Sequence, residues 1–292
     1  MKKLKKENRK VLVTGAYGYI GSWVAKELGE NDIESCLIDK VSLDLPNSHQ
    51  FDLRDSQKTL DCVEQFKPDL FIHCATHSAL AYQQHFADSF REDCEILTSI
   101  LAALSKRSHC RFVYLSSSYV YSGLPEKTVV NEESPLKPIH NFGVAKSFFE
   151  QFALKQYSDT VALRLFSVFG PGNYLFPNSV HNMIQECRET GRVTIWGEGK
   201  RKMQYVFIRD VLKAIEEACF LEPGIYNVGG NEYLSVAETA KNIAALLNAD
   251  VVFVKDKKEG ETLPFGDNAK FKQACGKDCF TSFEEALKEY LA

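Results

Sequence analysis

Three glycines between a predicted strand and a predicted helix are placed to bind a pyrophosphate. They are Gly15, Gly18 and Gly21 in the segment VLVTGAYGYIGSWVAKEL (residues 11–28). Glycine lets the chain turn tightly and lets its backbone approach an anion, and a helix that begins near Tyr19 presents free N–H groups. Because the strand precedes and the helix follows, the pattern predicts a dinucleotide site rather than an ordinary tight turn.

Asp39 and Lys40 bear on which dinucleotide would bind. Asp39 ends the second predicted strand, 18 residues after Gly21. A carboxylate at that place accepts hydrogen bonds from the adenosine ribose hydroxyls and repels a 2′-phosphate, which favours NAD. Lys40 weakens this preference, so NADP remains an alternative.

Phe142 and Lys146 lie four positions apart in the segment HNFGVAK (residues 140–146), which is typical of the start of a helix. Residues at this spacing share one helix face. The phenyl ring has no proton to give or take, whereas the lysine carries a positive charge. The pair therefore raises the question of which group would exchange protons on this face.

A basic loop later in the chain could bind a nucleotide diphosphate. The segment WGEGKRKMQYVFIRD (residues 196–210) combines cationic and aromatic side chains, namely Lys200, Arg201, Lys202 and Arg209 with Trp196 and Tyr205. Guanidinium groups bind phosphates bidentately and aromatic faces stack on bases. The alternative is an ordinary solvated basic loop.

The elements that would position these residues alternate between strand and helix. Apolar runs predict strands at 10–15, 34–39, 69–75, 111–117 and 160–166, separated by helical patterns at 19–29, 55–66, 89–106 and 142–157. Alternation of this kind predicts an α/β fold, a Rossmann-type doubly wound parallel sheet with helices on both faces.

The alternating pattern of predicted strands and helices ends at about residue 167. Residues 1–167 are predicted to form the dinucleotide-binding domain, with a later contribution from about 204–224. Residues 168–292 are predicted to form a smaller substrate lobe. Since no flexible linker separates them, the two are expected to interleave.

The composition of the chain limits the classes of partner that it is expected to bind. The formal net charge of -4 argues against a nucleic-acid-binding protein, which would carry a basic excess. No apolar run approaches the length of a membrane-spanning helix, so no membrane partner is expected. The basic start MKKLKKENRK (residues 1–10) is interpreted as a solvated, frayed tail.

The nine cysteines are scattered and lie mostly within apolar runs, as buried free thiols do. This pattern predicts a reduced protein with a cytoplasmic location. Cys275 and Cys279 have no second pair of ligands in the sequence around them, so no metal site is predicted.

Six motifs occur in a characteristic order. They are TGAYGYIG (14–21), DLRD (52–55), HCA (73–75), LSSSYVYS (115–122), FGVAKSFFE (142–150) and LRLFSVFGPG (163–172). The set resembles the extended short-chain dehydrogenase/reductase family, and within it the NAD-dependent nucleotide-sugar epimerases and dehydratases. The resemblance runs from residue 10 to about residue 230.

The resemblance implies a set of cofactor-binding residues. Asp52 and Leu53 would bracket the adenine, the segment Cys74–Thr76 would pass under the cofactor, and Lys146 would hold the nicotinamide ribose. The full implied set is Gly15, Tyr17, Gly18, Tyr19, Ile20, Gly21, Asp39, Lys40, Asp52, Leu53, Cys74, Ala75, Thr76 and Lys146.

The resemblance also implies catalytic roles for Ser117, Phe142 and Lys146. Ser117 matches the residue that hydrogen-bonds the substrate hydroxyl. Phe142 stands where the family has a tyrosine, the general acid/base, whose pKa the lysine would lower. Implied substrate-binding residues are Ser118, Tyr119, Ser167, Asn178, His181, Trp196, Arg201 and Arg209. Arg201 would replace an arginine that the family has at Met203.

Other departures from the family pattern affect the substrate. Dehydratases carry Asp-Glu where this chain has Ser118 and Tyr119, so dehydration is disfavoured. The 3,5-epimerase/reductases have a cysteine at the position of Tyr119. Asp93 and Ser167 each replace an asparagine.

Phe142 has three explanations. The chain is an engineered Tyr-to-Phe variant that binds without turnover, or a natural variant that uses another group, such as Tyr119, Tyr121, Ser117 or His181, or a natural binder that does no chemistry. Losing a positioned general acid/base costs a factor of roughly 10²–10⁴ in rate, whereas binding should survive.

The expected activity is that of an NAD-dependent nucleotide-sugar epimerase/oxidoreductase that works through a transient keto-sugar at C4. A first alternative is an NAD(P)H-dependent 4-keto-6-deoxy nucleotide-sugar reductase, and a second is a non-catalytic dinucleotide-binding sensor or scaffold. The expected partners are a nucleotide-diphosphate sugar and a second copy of the chain, which would pack through the helices at 89–106 and 142–157.

Overall fold

The computed structural model describes residues 1–42, 44–107, 109–172, 178–276 and 280–292. The helices are α1 Lys2–Lys6, α2 Tyr19–Glu30, α3 Ser56–Phe66, α4 Ala79–Gln84, α5 Phe86–Leu104, α6 Asn141–Gln156, α7 Ser179–Thr190, α8 Ile208–Ala218, α9 Val236–Leu247, α10 Ala269–Cys275 and α11 Phe283–Leu291. The strands are β1 Val11–Thr14, β2 Ser35–Asp39, β3 Ser48–Gln50, β4 Leu70–His73, β5 Arg111–Ser117, β6 Val129–Val130, β7 Thr160–Leu165, β8 Ser167–Phe169, β9 Arg192–Trp196, β10 Lys202–Phe207, β11 Gly224–Val228, β12 Tyr233–Ser235, β13 Asp250–Val254 and β14 Phe265–Gly266.

A seven-stranded sheet in the order β11-β7-β5-β4-β1-β2-β3 forms the centre of the molecule. All its neighbouring strands run parallel. The chain runs from β1 outward to β3 and then returns to the other side of β1 with β4. In such sheets ligands bind at the carboxyl ends of the strands where the direction reverses. The predicted doubly wound α/β fold is confirmed.

The strand β1 shows why this sheet is covered on both faces. Its four residues are all buried. Val11 and Val13 belong to the core on the side of α2 and α8, whereas Leu12 belongs to the core on the side of α3, α5 and α6. Successive side chains of a strand point to opposite faces, so an uninterrupted apolar run needs helices on both sides.

The later part of the chain builds smaller sheets and then returns to the large one. The smaller sheets have the orders β12-β10-β8, β13-β9 and β14-β6. Strand β11 pairs with β7 as the edge of the seven-stranded sheet. The predicted contribution from about 204–224 covers most of β10 and all of α8, and the division into lobes stays a prediction.

The basic N-terminus is not a frayed tail, so that interpretation was wrong. Residues Lys2–Lys6 form α1, and Leu4 is fully buried in the core. The Lys3 ammonium donates to Glu217 on α8 at 2.7 Å and the Lys3 amide donates to Glu216 at 2.8 Å. The buried leucine and the two acidic partners hold the segment in place.

Candidate active site

Two glycines of the loop, Gly15 and Gly21, lie too close to neighbouring backbone atoms to carry a side chain. Gly15 has φ +69°, and a Cβ on it would lie 2.6 Å from the Ala75 amide nitrogen. A Cβ on Gly21 would overlap the Gly15 carbonyl oxygen. The loop thus brings β1, α2 and the end of β4 into backbone contact, as the sequence pattern requires.

The first turn of α2 faces an open cavity. Its N-cap is Gly18, which has no side chain with which to satisfy the amides of that turn. Gly18, Tyr19, Ile20 and Gly21 all line the cavity. Uncapped amides at the positive end of a helix dipole suit a phosphate group, so the loop fits a dinucleotide pyrophosphate.

Asp39 is held at the end of β2 beside this loop. Its carboxylate accepts hydrogen bonds from the Tyr17 amide at 2.9 Å and from the Val41 amide at 3.0 Å. A carboxylate has more acceptor sites than these two bonds use, so it can also accept from ribose hydroxyls. The residues around the loop therefore fit a dinucleotide whose adenosine ribose carries no 2′-phosphate.

The predicted adenine-bracketing residues lie next along the sheet edge. The Phe51 amide donates to the Asp39 carbonyl at 3.0 Å, which ties the two segments together. The Arg54 guanidinium donates to Asp52 and holds the pKa of that carboxyl below its usual range. Leu53 is buried.

A cavity of about 410 Å³ lies at the carboxyl ends of the central strands. It is lined by Gly18, Tyr19, Ile20, Gly21, Cys74, Thr76, His77, Ser78, Leu115, Ser116, Ser117, Phe142, Lys146, Leu165, Phe166, Val168 and Asn178. All three predicted catalytic residues, most of the predicted loop residues and Asn178 from the later part of the chain thus share one space.

Lys146 is a buried ammonium whose hydrogen bonds are largely made by the protein. On α6, its Nζ donates to the Thr76 hydroxyl at 3.1 Å and to the Leu115 carbonyl at 2.7 Å. Burial lowers the pKa of Lys146 to about 8, against the opposing effect of the Asp93 and Glu150 carboxylates. Within the part of the chain that the structure describes, these bonds use two of its three N–H groups, so one can serve a ligand in the cavity.

Phe142 lies one turn before Lys146 and shares the cavity with it. The Lys146 Nζ is 5.5 Å from the centre of the Phe142 ring. The rings of Tyr119 and Tyr82 each pack against Phe142 with centroids 5.9 Å apart. Phe142 therefore occupies the position expected for a proton-exchanging residue but offers only an apolar surface.

A buried ion pair fixes α6, and with it Phe142 and Lys146. The Glu150 carboxylate and the Arg164 guanidinium approach to 2.5 Å with both side chains almost fully buried. Ser116 also donates to Glu150 at 2.6 Å. Since Glu150 lies one turn after Lys146, the pair attaches the helix to β5 and β7 directly beneath the cavity.

Ser117 ends β5 inside the cavity. Its Oγ accepts a hydrogen bond from the Tyr119 amide at 3.3 Å, which starts a 3₁₀ turn over Ser118–Tyr121. The hydroxyl keeps its own proton to donate and a further lone pair. Ser118, the first residue of this turn, is buried.

Sequence reasoning missed His77, which lines the cavity beside Thr76. Its Nδ1 lies 2.7 Å from the buried Asp93 carboxylate, which also accepts from the Tyr82 hydroxyl at 2.6 Å. Asp93, and to a lesser extent Glu92, raises the pKa of His77. The available signal was Asp93 itself, because a carboxylate on a mostly apolar helix face needs a partner.

Three of the four proposed substitutes for the missing tyrosine do not line the cavity, namely Tyr119, Tyr121 and His181. The Tyr121 hydroxyl is buried against Asn227, to which it donates at 3.0 Å, and against Arg164. The His181 Nδ1 is 2.7 Å from the Tyr290 hydroxyl on α11. Neither Tyr121 nor His181 lines the cavity that contains Phe142.

The structure does not bring all predicted substrate-binding residues to this cavity. Trp196 is 58% exposed at the end of β9. Arg201 donates to the Glu261 carbonyl at 2.8 Å and lines a separate cavity with Lys200. Arg209 pairs with Glu289 and lies 3.7 Å from Glu27. A substrate role for these three stays a prediction.

Asn178 lines the cavity from the later part of the chain, whereas Ser167 precedes the lining residue Val168 but does not line the cavity itself. The Asn178 side chain donates to the Val168 carbonyl at 2.7 Å and caps α7 by accepting from the His181 amide at 2.9 Å. Ser167 lies opposite Tyr205 in the pairing of β8 with β10. Residues 173–177, which precede Asn178 in the sequence, lie outside the described residues.

Among the described residues, no three His, Cys, Asp or Glu side chains are grouped as a metal site would require. Cys275 is the last residue of α10. Cys279 lies outside the described residues. In the same described ranges, no helix has the length and apolarity to cross a membrane.

Comparison with known proteins gives a family match along most of the chain. A family model described as the NAD dependent epimerase/dehydratase family matches residues 11–229. An uncharacterized UDP-glucose epimerase, YtcB, of Bacillus subtilis (strain 168) is 27% identical over 97% of both chains. A dTDP-4-dehydro-6-deoxy-D-allose reductase of Streptomyces bikiniensis is 25% identical over 82% of this chain and 81% of the relative.

Solved structures share the whole fold at low identity. The UDP-glucose 4-epimerase of Thermotoga maritima, crystallised with UDP-glucose, has a TM-score of 0.86 and 22% identity over 97% of both chains. The UDP-glucose 4-epimerase of Thermus thermophilus, in complex with NAD, has a TM-score of 0.82 and 22% identity over 97% of both chains.

Proposed function

Because the chain belongs to the NAD dependent epimerase/dehydratase family, we propose that it binds a nucleotide-diphosphate sugar beside NAD, in a site built to oxidise and re-reduce the sugar at C4. The observation that carries this proposal is the single cavity in which the glycine loop, Ser117, Phe142, Lys146 and Asn178 meet. The names of the relatives, a UDP-glucose epimerase and a dTDP-keto-sugar reductase among them, support a nucleotide sugar.

Each part of the cofactor has a group of this chain to hold it. The amides of the glycine loop bind the pyrophosphate, Asp39 accepts from the adenosine ribose, and Lys146 donates to the nicotinamide ribose. NAD supplies the centre that takes up and returns a hydride. The protein's own contribution is to position the sugar, exclude water and manage the hydroxyl proton.

On the substrate side, the Ser117 hydroxyl hydrogen-bonds the sugar oxygen that becomes a carbonyl. The Lys146 charge favours the anionic form of any acid group beside it. The position that should exchange the proton carries Phe142, so the chain retains binding groups but lacks the general acid/base. Ser118 and Tyr119, in place of an acidic pair, support epimerisation over dehydration.

The test compares this chain with Phe142→Tyr across a panel of UDP-, GDP-, CDP- and dTDP-sugars. We expect tyrosine to raise the turnover number by roughly 10²–10⁴, because a positioned general acid/base is restored beside Lys146. Product identity by NMR would name the sugar and the carbon. Phe148→Tyr is the matched control, since Phe148 lies on the same helix but is 45% exposed and outside the cavity.

Two alternatives give different outcomes in this comparison. A 4-keto-sugar reductase, the activity named for the Streptomyces relative, would consume added NAD(P)H with a keto-sugar, whereas an epimerase would retain its cofactor through desalting. A sensor or scaffold would bind NAD in both proteins and gain no activity from tyrosine. That last result would refute the proposed chemistry and separate it from NAD binding.

We also propose that the chain forms a homodimer through α5 and α6. Val144 and Phe148 of α6 and Phe86 of α5 are large apolar residues that are 40%, 45% and 37% exposed on these helices. The Phe148 ring stacks on Phe152 and packs at a tilt against Phe90. A cytoplasmic location stays a prediction.

A further inference from the structure

Two cysteine thiols lie in contact on the far side of the sheet from the helix that follows the glycine loop. Cys36 of β2 and Cys62 of α3 have their sulfur atoms 3.4 Å apart. Both are free thiols. The two residues come from different elements, so this contact is made by tertiary packing rather than by sequence proximity.

The thiol pair opens onto a cavity of about 490 Å³, which is separate from the active-site cavity. Cys36 itself is buried, whereas Cys62 is partly exposed. Lys58 and Asp61 from the same helix as Cys62 line the cavity too. The cavity wall thus offers a charge of each sign to a small zwitterionic molecule, near the Cys62 sulfur.

The two sulfur atoms differ in reactivity. The hydrogen bond from Cys36 lowers the pKa of the Cys62 thiol. The same contact, together with burial, raises the pKa of Cys36. Since the thiolate is the nucleophile in disulfide exchange, the more exposed Cys62 is also the sulfur that reacts first.

We propose that Cys36 and Cys62 form a reversible disulfide site, oxidised by low-molecular-weight peptide disulfides that enter this cavity. The Cys62 thiolate attacks one sulfur of the small disulfide, and one small thiol leaves. The Cys36 thiol then gives up its proton and attacks the Cys62 sulfur, which expels the second small thiol. Two protein thiols are oxidised and one small disulfide is reduced to two thiols, so the electrons balance.

The site connects to the cofactor residues through short segments. Cys36 lies on β2, which ends at Asp39. Thr59, which lies one turn before Cys62 on α3, donates a hydrogen bond to the Leu53 carbonyl at 3.2 Å. A covalent bond between β2 and α3 therefore joins the two segments that carry Asp39 and Leu53, and we expect it to change NAD affinity. This second part rests on the proposed NAD binding.

The first experiment exposes the reduced protein to oxidised glutathione, blocks the remaining thiols and maps the peptides by mass spectrometry. The expected product is one Cys36–Cys62 cross-link, two hydrogens lighter than the reduced pair. Cys36→Ser should instead accumulate glutathione on Cys62, because the resolving thiol is gone, and Cys62→Ser should form neither product. Cys219→Ser, at a thiol on another helix end, should behave like the unsubstituted protein.

Absence of the cross-link in the folded protein, or glutathione equally distributed over the partly exposed cysteines, would overturn the proposal. The second experiment measures NAD affinity by calorimetry before and after oxidation, with an expected change of about fivefold or more. Cys62→Ser should show no change with oxidant. A cross-link without any change in affinity would refute the link to the cofactor site, and failure of the reduced protein to bind NAD would refute the proposed function instead.

Discussion

Lys146 carries a buried charge that the protein compensates only in part. Its two protein acceptors, Thr76 and the Leu115 carbonyl, offset only part of the cost of burying an ammonium. The remaining cost appears as the lowered pKa of about 8. At neutral pH the side chain is still mostly protonated, so it presents a positive charge to the cavity.

The lowered pKa of Lys146 predicts a dependence of stability on pH. Between about pH 8 and 10.5 the unfolded chain holds this proton more tightly than the folded chain, so the free energy of unfolding should rise with pH. The rise attributable to Lys146 is up to about 3 kcal/mol. Urea unfolding of this chain and of Lys146→Met across that interval measures it, because other titrating groups cancel in the difference. Parallel curves for the two proteins would contradict the assignment.

The limits of sequence reasoning are also clearest for individual side chains. Local spacing predicted the glycine loop and Asp39, whereas Ser117 and Lys146 were predicted from the family resemblance. The loop, Ser117 and Lys146 line one cavity, and their roles stay predictions. The pairing of His77 with Asp93 could not, since it joins a loop to a helix across 16 positions and depends on how α5 packs. Arg164 was seen only as part of a motif, and its buried partner depends on the position of α6.

At the level of elements, α2 contains one glycine that cannot be substituted without a clash and one that can. A Cβ on Gly21 would overlap the Gly15 carbonyl, whereas a Cβ on Gly29 would meet nothing within 4 Å. Gly21→Ala should therefore destabilise the protein by about 1–3 kcal/mol and weaken NAD binding. Gly29→Ala should stabilise it by about 0.5–1 kcal/mol.

Urea unfolding and calorimetric titration with NAD test both substitutions in α2. Equal effects at the two positions would mean that helix propensity, rather than the backbone contact with Gly15, governs this segment. The comparison is well matched because both glycines belong to the same helix.

The attachment of α6 by Glu150 and Arg164 gives a second prediction at this level. Removing one partner leaves a buried charge without compensation, so Glu150→Gln should cost about 3–5 kcal/mol of stability. Glu150→Gln combined with Arg164→Met should cost less than the sum of the two single changes. Urea unfolding of the four proteins gives the coupling energy, and strict additivity would show that the two side chains do not stabilise each other.

Secondary structure was predictable where the hydrophobic pattern was strong. Predicted strand 111–117 and observed β5 have the same bounds, and predicted helix 55–66 differs from α3 by one residue. The N-terminal segment was misjudged because its charges suggested a solvated tail. Its helix depends on one buried leucine and on acidic residues of α8 that are more than 200 positions away.

For the whole molecule, the exposed aromatic face of α5 and α6 predicts the state of assembly. If these helices form a dimer interface, Phe148→Glu should produce a monomer, because a buried unpaired carboxylate is costly. Phe253→Glu, at a residue that is 41% exposed on β13, is the control and should leave the dimer intact. Size-exclusion chromatography with light scattering measures both, and a monomer before any substitution would contradict the proposed homodimer.

Because β11 forms the edge of the large sheet, that edge is completed late in the synthesis of the chain. As the chain leaves the ribosome, β7 is complete by Leu165, but its partner β11 is not complete until Val228. During that interval the β7 edge is uncovered, and an open edge invites pairing with other nascent chains. Synthesis of the intervening residues thus sets the interval during which the uncovered β7 edge can pair with other chains.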